Sequence, residues 1–281
     1  MIYFTPDAPL EYAAAGVTDA RSGYFASRCA AMGAVAPDMV IATFFNFHPG
    51  LVRQKMDRIW TITTPEKMLA ARLRAVDSSL VRAFDQVLRC SAEFGRVLDL
   101  TRHAALVACE HMAGRPLFAA HAALPWPDEP HLALWHAQTL LREYRGDGHI
   151  AALTAEGLSG LDALISHAAV GDIPAEMLRR TRSWSVDEWA DGVNSMVERG
   201  LLEPDGGFTH AGLAQREGLE ATTDRVSLAP YAAIGNDACS EIRSLGRRLT
   251  ELVLGAGLLH VRRITQYEDD DKRDERDGAA S

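Results

Sequence analysis

Alternation of polar and apolar residues with period two is almost absent from this chain, whereas alanine, leucine and arginine recur throughout it. A strand with one buried face needs that alternation, and an amphipathic helix needs apolar residues at i, i+3, i+4 and i+7. The sequence therefore predicts a mainly α protein. Its punctuation agrees. Thr64-Pro65-Glu66 is a start signal, with Thr64 as cap and Pro65 in the first turn, where its missing N–H is not needed. Helices are expected within 9–32, from Asp38 to Asn46, over 50–60, over 65–89, over 91–113 before Gly114 and Pro116, over 116–123 and over 130–144. Beyond a sharp turn at Arg145-Gly146-Asp147-Gly148, a further helix is expected over 149–169, closed by Gly171.

From Pro174 the texture changes. A short helix is predicted over 174–181 and a longer one over 185–199, the latter opened by a Ser185/Glu188 capping box. Gly200 to Thr209 then reads as a hairpin, with Asp205-Gly206-Gly207 as its turn. Helix, turn, helix and a two-stranded wing together predict a winged helix. The expected architecture is thus a helical pocket-bearing domain (1–148), a winged-helix domain with a small β-hairpin wing (149–228), a C-terminal helix (229–262) and a disordered acidic tail (263–281). Such a module reads DNA through basic and amide side chains. Here the recognition helix opens with Asp187, Glu188 and Asp191, which phosphate would repel, although Arg179, Arg180 and Arg182 lie one element upstream. DNA is therefore disfavoured as a partner, and a net charge of −9 points the same way.

The region richest in chemistry is Leu124 to Leu153. His131, Trp135, Gln138 and Arg142 fall at i, i+4, i+7 and i+11, along one helical stripe. The Arg142–His149 run adds Glu143, Arg145, Asp147 and His149, which the two glycines could aim back towards that stripe. Arg142 and Arg145 also suit a solvated helix end, where cations complement the dipole. Upstream, Arg28 and Met32 share a helix face beside Tyr24 and Phe25, and Asn46 ends a helix; these suit an anionic or planar ligand over an apolar floor. His48 is expected to be exposed. The reading is a pocket with Arg28, Met32, Asn46, Trp135, Gln138, Arg142 and Arg145 as ligand contacts. Any acid–base chemistry there would fall to His131 or His149, oriented by Asp147 or Glu143.

Other chemistries lack their signatures. The ten histidines are scattered without a metal-binding spacing, so no metal site is expected, and no cofactor can be named. Neither a nucleophile elbow nor a P-loop occurs. The four cysteines are widely spaced and read as buried thiols of a reducing compartment. With no basic, apolar leader at the N-terminus and no run of about 18 apolar residues, a cytoplasmic protein without a membrane partner is expected.

The blocks Gly23-Tyr24-Phe25-Ala26-Ser27-Arg28-Cys29, Ala42-Thr43-Phe44-Phe45-Asn46-Phe47-His48-Pro49, Ala123-Leu124-Pro125-Trp126-Pro127, Leu140 to His149 and Trp184 to Trp189 resemble those of the SalK-like helix-turn-helix proteins of actinobacteria. The resemblance runs from about Tyr24 to Leu245 and departs at Tyr144, where histidine is common. It implies a helical N-terminal region followed by a winged helix, an association of some members with natural-product pathways, and motif positions at Arg28, Met32, Asn46, His131, Arg142, Glu143, Asp147 and His149. Together these give the expected function: a small-molecule-binding protein of specialised metabolism, or an acid–base enzyme, on a winged-helix scaffold that no longer reads DNA. The alternative is a ligand-responsive winged-helix regulator. A homodimer through helix 236–259 is a further expected arrangement.

Overall fold

The computed structural model describes residues 2–171 and 173–259, so the expected acidic tail lies outside the described residues. The N-terminal helices are α1 (Asp7–Ala14), α2 (Ala20–Cys29), α3 (Pro37–Phe44), α4 (Pro49–Met56), α5 (Ile59–Ile62) and α6 (Pro65–Ala83). They are followed by α7 (Gln86–Arg89), α8 (Ala92–Cys109), α9 (Pro116–Ala122) and α10 (Pro130–Ala155). The remainder are α11 (Gly160–Val170), α12 (Ala175–Thr181), α13 (Val186–Glu198), α14 (His210–Ser227) and α15 (Ala229–Gly255). Proline opens α3, α4, α6, α9 and α10, where it needs no N–H and holds the preceding residue out of the helical region. Side-chain caps fix other starts: Asp85 on Leu88 N, Ser91 on Phe94 N, and capping boxes at Ser159/Asp162 and Ser185/Glu188. Asp85 thereby splits the helix expected over 65–89 into α6 and α7.

The long helix α10 touches α6, α8, α9 and α14, and three apolar clusters meet along it. Near its start, Leu132 and Leu134 pack with Val76, Phe94 and Leu245. In its middle, Ala137, Leu140 and Tyr144 join Ala104, Ala108 and Phe118. Towards its end, Ala152 and Leu153 join Met196, Leu202 and Leu219. A fourth cluster, around Phe25, Phe44, Val52 and Met68, closes the N-terminal helices.

Two expectations are corrected here. First, the chain does not turn at Gly146–Gly148; α10 runs through both glycines for 26 residues. Helical glycine costs about 1 kcal/mol, which the burial of this helix on several sides outweighs. Gly148 serves close packing instead, since a Cβ there would lie 2.6 Å from Arg115 Nη1. Arg115 bonds the Tyr144 carbonyl and, at 2.7 Å, the Val226 carbonyl, tying α10 to the end of α14. The expected domain boundary at 148/149 thus falls inside a helix. The helix expected over 149–169 is two, because the chain leaves α10 through Gly157 (φ 66) and restarts at the Ser159 cap.

Second, there is no winged-helix hairpin. Among the described residues no β-strand occurs; Leu202 and Phe208 form an isolated bridge around a turn closed by Glu203 N to Gly207 O at 2.8 Å. Pro204 removes a donor, and Thr209 already caps α14 by accepting from Gly212 N. The segment enters a helix before a second pair of residues can face each other. The expected wing is therefore a tight loop, and the described residues are helical without strands.

The expected start of the last helix at Asn236 has a physical counterpart: Gly235 (φ 80, ψ 170) breaks α15 there. Its apolar face is used within the chain, Leu245 and Leu249 packing in the cluster that contains Phe94 and Leu132. Among the described residues no single helix is long and apolar enough to cross a membrane.

The start of α11 sits against the backbone after α3, where Phe45 has φ 56. A Cβ on Gly160 would lie 1.9 Å from the Phe45 carbonyl oxygen. Gly160→Ala is expected to lower stability by about 3 kcal/mol or more, read by denaturant or thermal unfolding. Gly95→Ala, in α8 with nothing within 4 Å of the new Cβ, should leave stability unchanged or raise it by up to about 1 kcal/mol.

Candidate functional site

After α3 the segment Asn46–His48 lies against the turn joining α12 to α13. His48 N donates to the Arg182 carbonyl at 3.0 Å, and Trp184 Nε1 donates to the Asn46 carbonyl at 3.0 Å. His48 Nδ1 accepts from Gly50 N, so Nε2 carries the proton that it donates to Glu188 Oε1 at 3.0 Å. His48 is therefore partly buried rather than exposed as expected, with its ring edge-on to Trp184. This docking brings Arg182 to the N-terminal helices.

Arg182 and Arg28 line one cavity of about 410 Å³, walled also by Tyr24, Asn46, Phe47 and the Leu141–Leu153 part of α10. Arg28 is 8% exposed. Its Nη1 donates to Tyr24 Oη at 2.8 Å, its Nη2 lies 3.6 Å from Glu143 Oε2, and its plane sits 4.3 Å over the Phe44 ring. Glu143 also pairs with the more exposed Arg142, so one carboxylate serves two guanidinium groups. Arg182 lies 4.7 Å over the Phe47 ring, and burial lowers its pKa. The Nε atoms of Arg28 and Arg182 are buried and have no partner.

The other acid of the cavity is engaged elsewhere. Asp147 Oδ2 accepts from Phe118 N at 2.9 Å, satisfying the open start of α9 from a neighbouring helix. Burial pushes its pKa up to about 6; the Phe118 N–H opposes this and Glu143 adds to it. Thr223 donates its hydroxyl proton to the Leu219 carbonyl, so it accepts from His149 Nδ1 at 2.9 Å. Burial lowers the His149 pKa, favouring a neutral ring with Nε2 as acceptor. Arg145 turns towards α14, 3.1 Å from Glu220.

A family model described as a helix-turn-helix family matches residues 1–260. The chain belongs to this helix-turn-helix family. No curated protein and no solved structure matches it significantly. In this helix-turn-helix protein α12 and α13 have helix–turn–helix connectivity, but no wing follows them. The functional readings built on a winged-helix scaffold, both the binding protein or acid–base enzyme and the ligand-responsive regulator, are corrected accordingly.

Seven of the residues singled out from sequence line the cavity: Arg28, Asn46, Arg142, Glu143, Arg145, Asp147 and His149. Four do not. His131, Trp135 and Gln138 line a separate groove between α10 and α15, where His131 Nε2 meets Asp77 at 2.7 Å. The four stripe residues therefore divide, since His131 and Arg142 stand about 16 Å apart along the axis. Met32 packs beside Thr43, whose Oγ1 is 4.0 Å from its sulfur. Arg182 was read only as part of a basic run; its position beside Trp184, at the turn before a capping box, is the signal that it could fold inward. Arg179 likewise bonds the Trp184 carbonyl at 3.1 Å and Arg180 pairs with Glu176, so the run is partly engaged within the protein. Among the described residues no group of three or more His, Cys, Asp or Glu is placed to hold a metal ion.

Asp147 gives this site a pH signature. Its pKa is raised from 3.8 to about 6, so between those values the folded protein holds a proton that the unfolded chain releases. Stability from this group is fully present below about pH 4 and is lost as pH rises through about 6, by up to roughly 3 kcal/mol. Asp147→Asn keeps an oxygen for Phe118 N. Unfolding measured from pH 4 to 7 should show the variant gaining on the parent protein as pH rises; parallel curves would contradict the assignment.

Proposed function

We propose that the cavity between the N-terminal helices, the α12–α13 turn and α10 binds the anionic group of a hydrophilic organic ligand. The observation that carries this is the excess of buried positive charge. Arg28 and Arg182 face one hollow with an unpartnered Nε each, while Glu143 is shared and Asp147 is drawn towards its neutral form. A buried cation without full compensation is costly, and an arriving carboxylate or phosphate relieves that cost through charge-assisted hydrogen bonds. Asn46 and the acceptor Nε2 of His149 offer hydrogen bonds to the rest of such a ligand. Aromatic rings under both guanidinium groups fix their planes before anything binds.

The finer placement among SalK-like actinobacterial proteins belongs to this proposal and rests on the sequence blocks around Arg28, Asn46 and Arg142 to His149. DNA is not the proposed partner, because Asp187 and Asp191 are exposed on α13 and Glu188 is tied to His48. Catalysis is not proposed.

The test is calorimetric titration with inorganic phosphate and with succinate. Saturable binding to the parent protein is expected, weakened at least about tenfold in Arg182→Gln, whose folding is checked by circular dichroism. Failure of both probes to bind, or unchanged binding by the variant, would refute the site.

A further inference from the structure

In a second cavity, walled partly by α6, α9 and α10, three lining residues each carry a buried nitrogen without a partner. Arg72 on α6, His121 on α9 and His136 on α10 are 2%, 1% and 3% exposed. Arg72 Nε, His121 Nε2 and His136 Nε2 are each buried and unbonded. All three residues line one cavity of about 280 Å³, whose remaining wall is mostly apolar: Leu69, Leu73, Leu124, Pro125 and Trp135. A single orphaned polar atom costs about 1–3 kcal/mol, and three of them, on three different helices, belong to residues that line this one hollow; a common occupant reached by small side-chain adjustments would relieve all three.

The chemistry of that occupant follows from charge. Arg72 donates Nη1 to the Ser27 carbonyl at 3.3 Å and lies between the rings of Tyr3 and Trp135 at 5.4 and 4.7 Å. Among the described residues no carboxylate forms an ion pair with it. The acid that lines this cavity, Glu66, is exposed at the start of α6 and bonds Thr64. Burial, then the nearby arginines, hold both histidines well below their ordinary pKa, His136 at about 4, so both rings are neutral. A neutral ring that carries its proton on Nε2 donates from that atom. His136 is further held edge-on against Trp126 at 4.8 Å. Water could take the hydrogen bonds but would leave the Arg72 charge uncompensated.

We infer that this cavity is a second binding site, taking a small monocarboxylate with an apolar aromatic or aliphatic body: the carboxylate meets Arg72 Nε, His121 Nε2 and His136 Nε2, and the body lies against Trp135 and the leucines. The site shares no residue with the cavity of Arg28 and Arg182 and stands whether or not that one binds an anion.

The experiment uses benzoate and hexanoate as probes, with hexan-1-ol as the uncharged control. Calorimetry on the full chain should show saturable binding of both carboxylates and binding of hexan-1-ol weaker by at least about tenfold. Arg72→Met should lose at least about tenfold in benzoate affinity, while Arg182→Gln binds benzoate as the parent does. Should Arg72→Met fail to fold, the imidazole ¹⁵N signals of His121 and His136, assigned through His→Asn variants, provide an independent readout in the parent protein and should move on adding benzoate. The proposal is overturned if neither carboxylate saturates, if hexan-1-ol binds as tightly as hexanoate, if folded Arg72→Met keeps its affinity, or if those histidine signals stay still. Loss of benzoate binding in Arg182→Gln would also overturn it, by assigning the probe to the other cavity.

Discussion

The fold depends on burying a long helix that carries charge. Residues of α10 reach three apolar clusters, yet His131, His136, Glu143 and Asp147 on it are also nearly inaccessible to water. Three of them, His131, Glu143 and Asp147, find partners on other elements, and those partners help decide which helices pack where. Asp147 takes the open start of α9, His131 takes Asp77 of α6, and Glu143 takes Arg28 of α2. Arg115 completes the set by bonding carbonyls of α10 and α14 over the gap that Gly148 leaves. Apolar burial supplies most of the driving force. The polar pairs choose among the packings that burial alone would allow.

Helical class, and many of the helix starts, were legible because they depend on local chemistry: proline in a first turn, a Ser or Thr cap, a capping box. The course of the chain at Gly146–Gly148 was not legible, because a glycine pair permits a turn and equally permits a close approach. Only the position of Arg115, some thirty residues away in sequence, shows which applies. The wing failed for a similar reason. Asp205-Gly206-Gly207 does make its turn, with Gly206 at φ 88, but a turn alone does not recruit strands when Pro204 and the cap at Thr209 flank it so closely.

At the candidate site, helical spacing grouped residues that share a face of α10 but stand several turns apart, so one stripe became the edges of two hollows. Spacing also left Arg182 aside, because its inward direction comes from contacts across the fold: the Asn46–His48 segment is bonded to the α12–α13 turn through the Arg182 carbonyl and Trp184 Nε1. Arg28 was legible for the opposite reason. Its companions Tyr24 and Met32 lie within one turn, and Tyr24 does receive its hydrogen bond.

Three arginines, Arg28, Arg72 and Arg182, are thus placed inside or at the rim of the N-terminal half with their Nε atoms unpartnered. Cations held over aromatic faces keep part of their stabilisation without any carboxylate, so the protein can fold with these charges present. The remaining deficit is what a ligand can relieve. An anion that binds only the folded chain adds stability by RT ln(1 + [L]/Kd), so the groups that make the empty protein less stable are the ones that make the occupied protein respond to ligand concentration. Both hollows are walled partly by α10, and Glu143, which pairs with Arg28, lies on the same buried helix as His136.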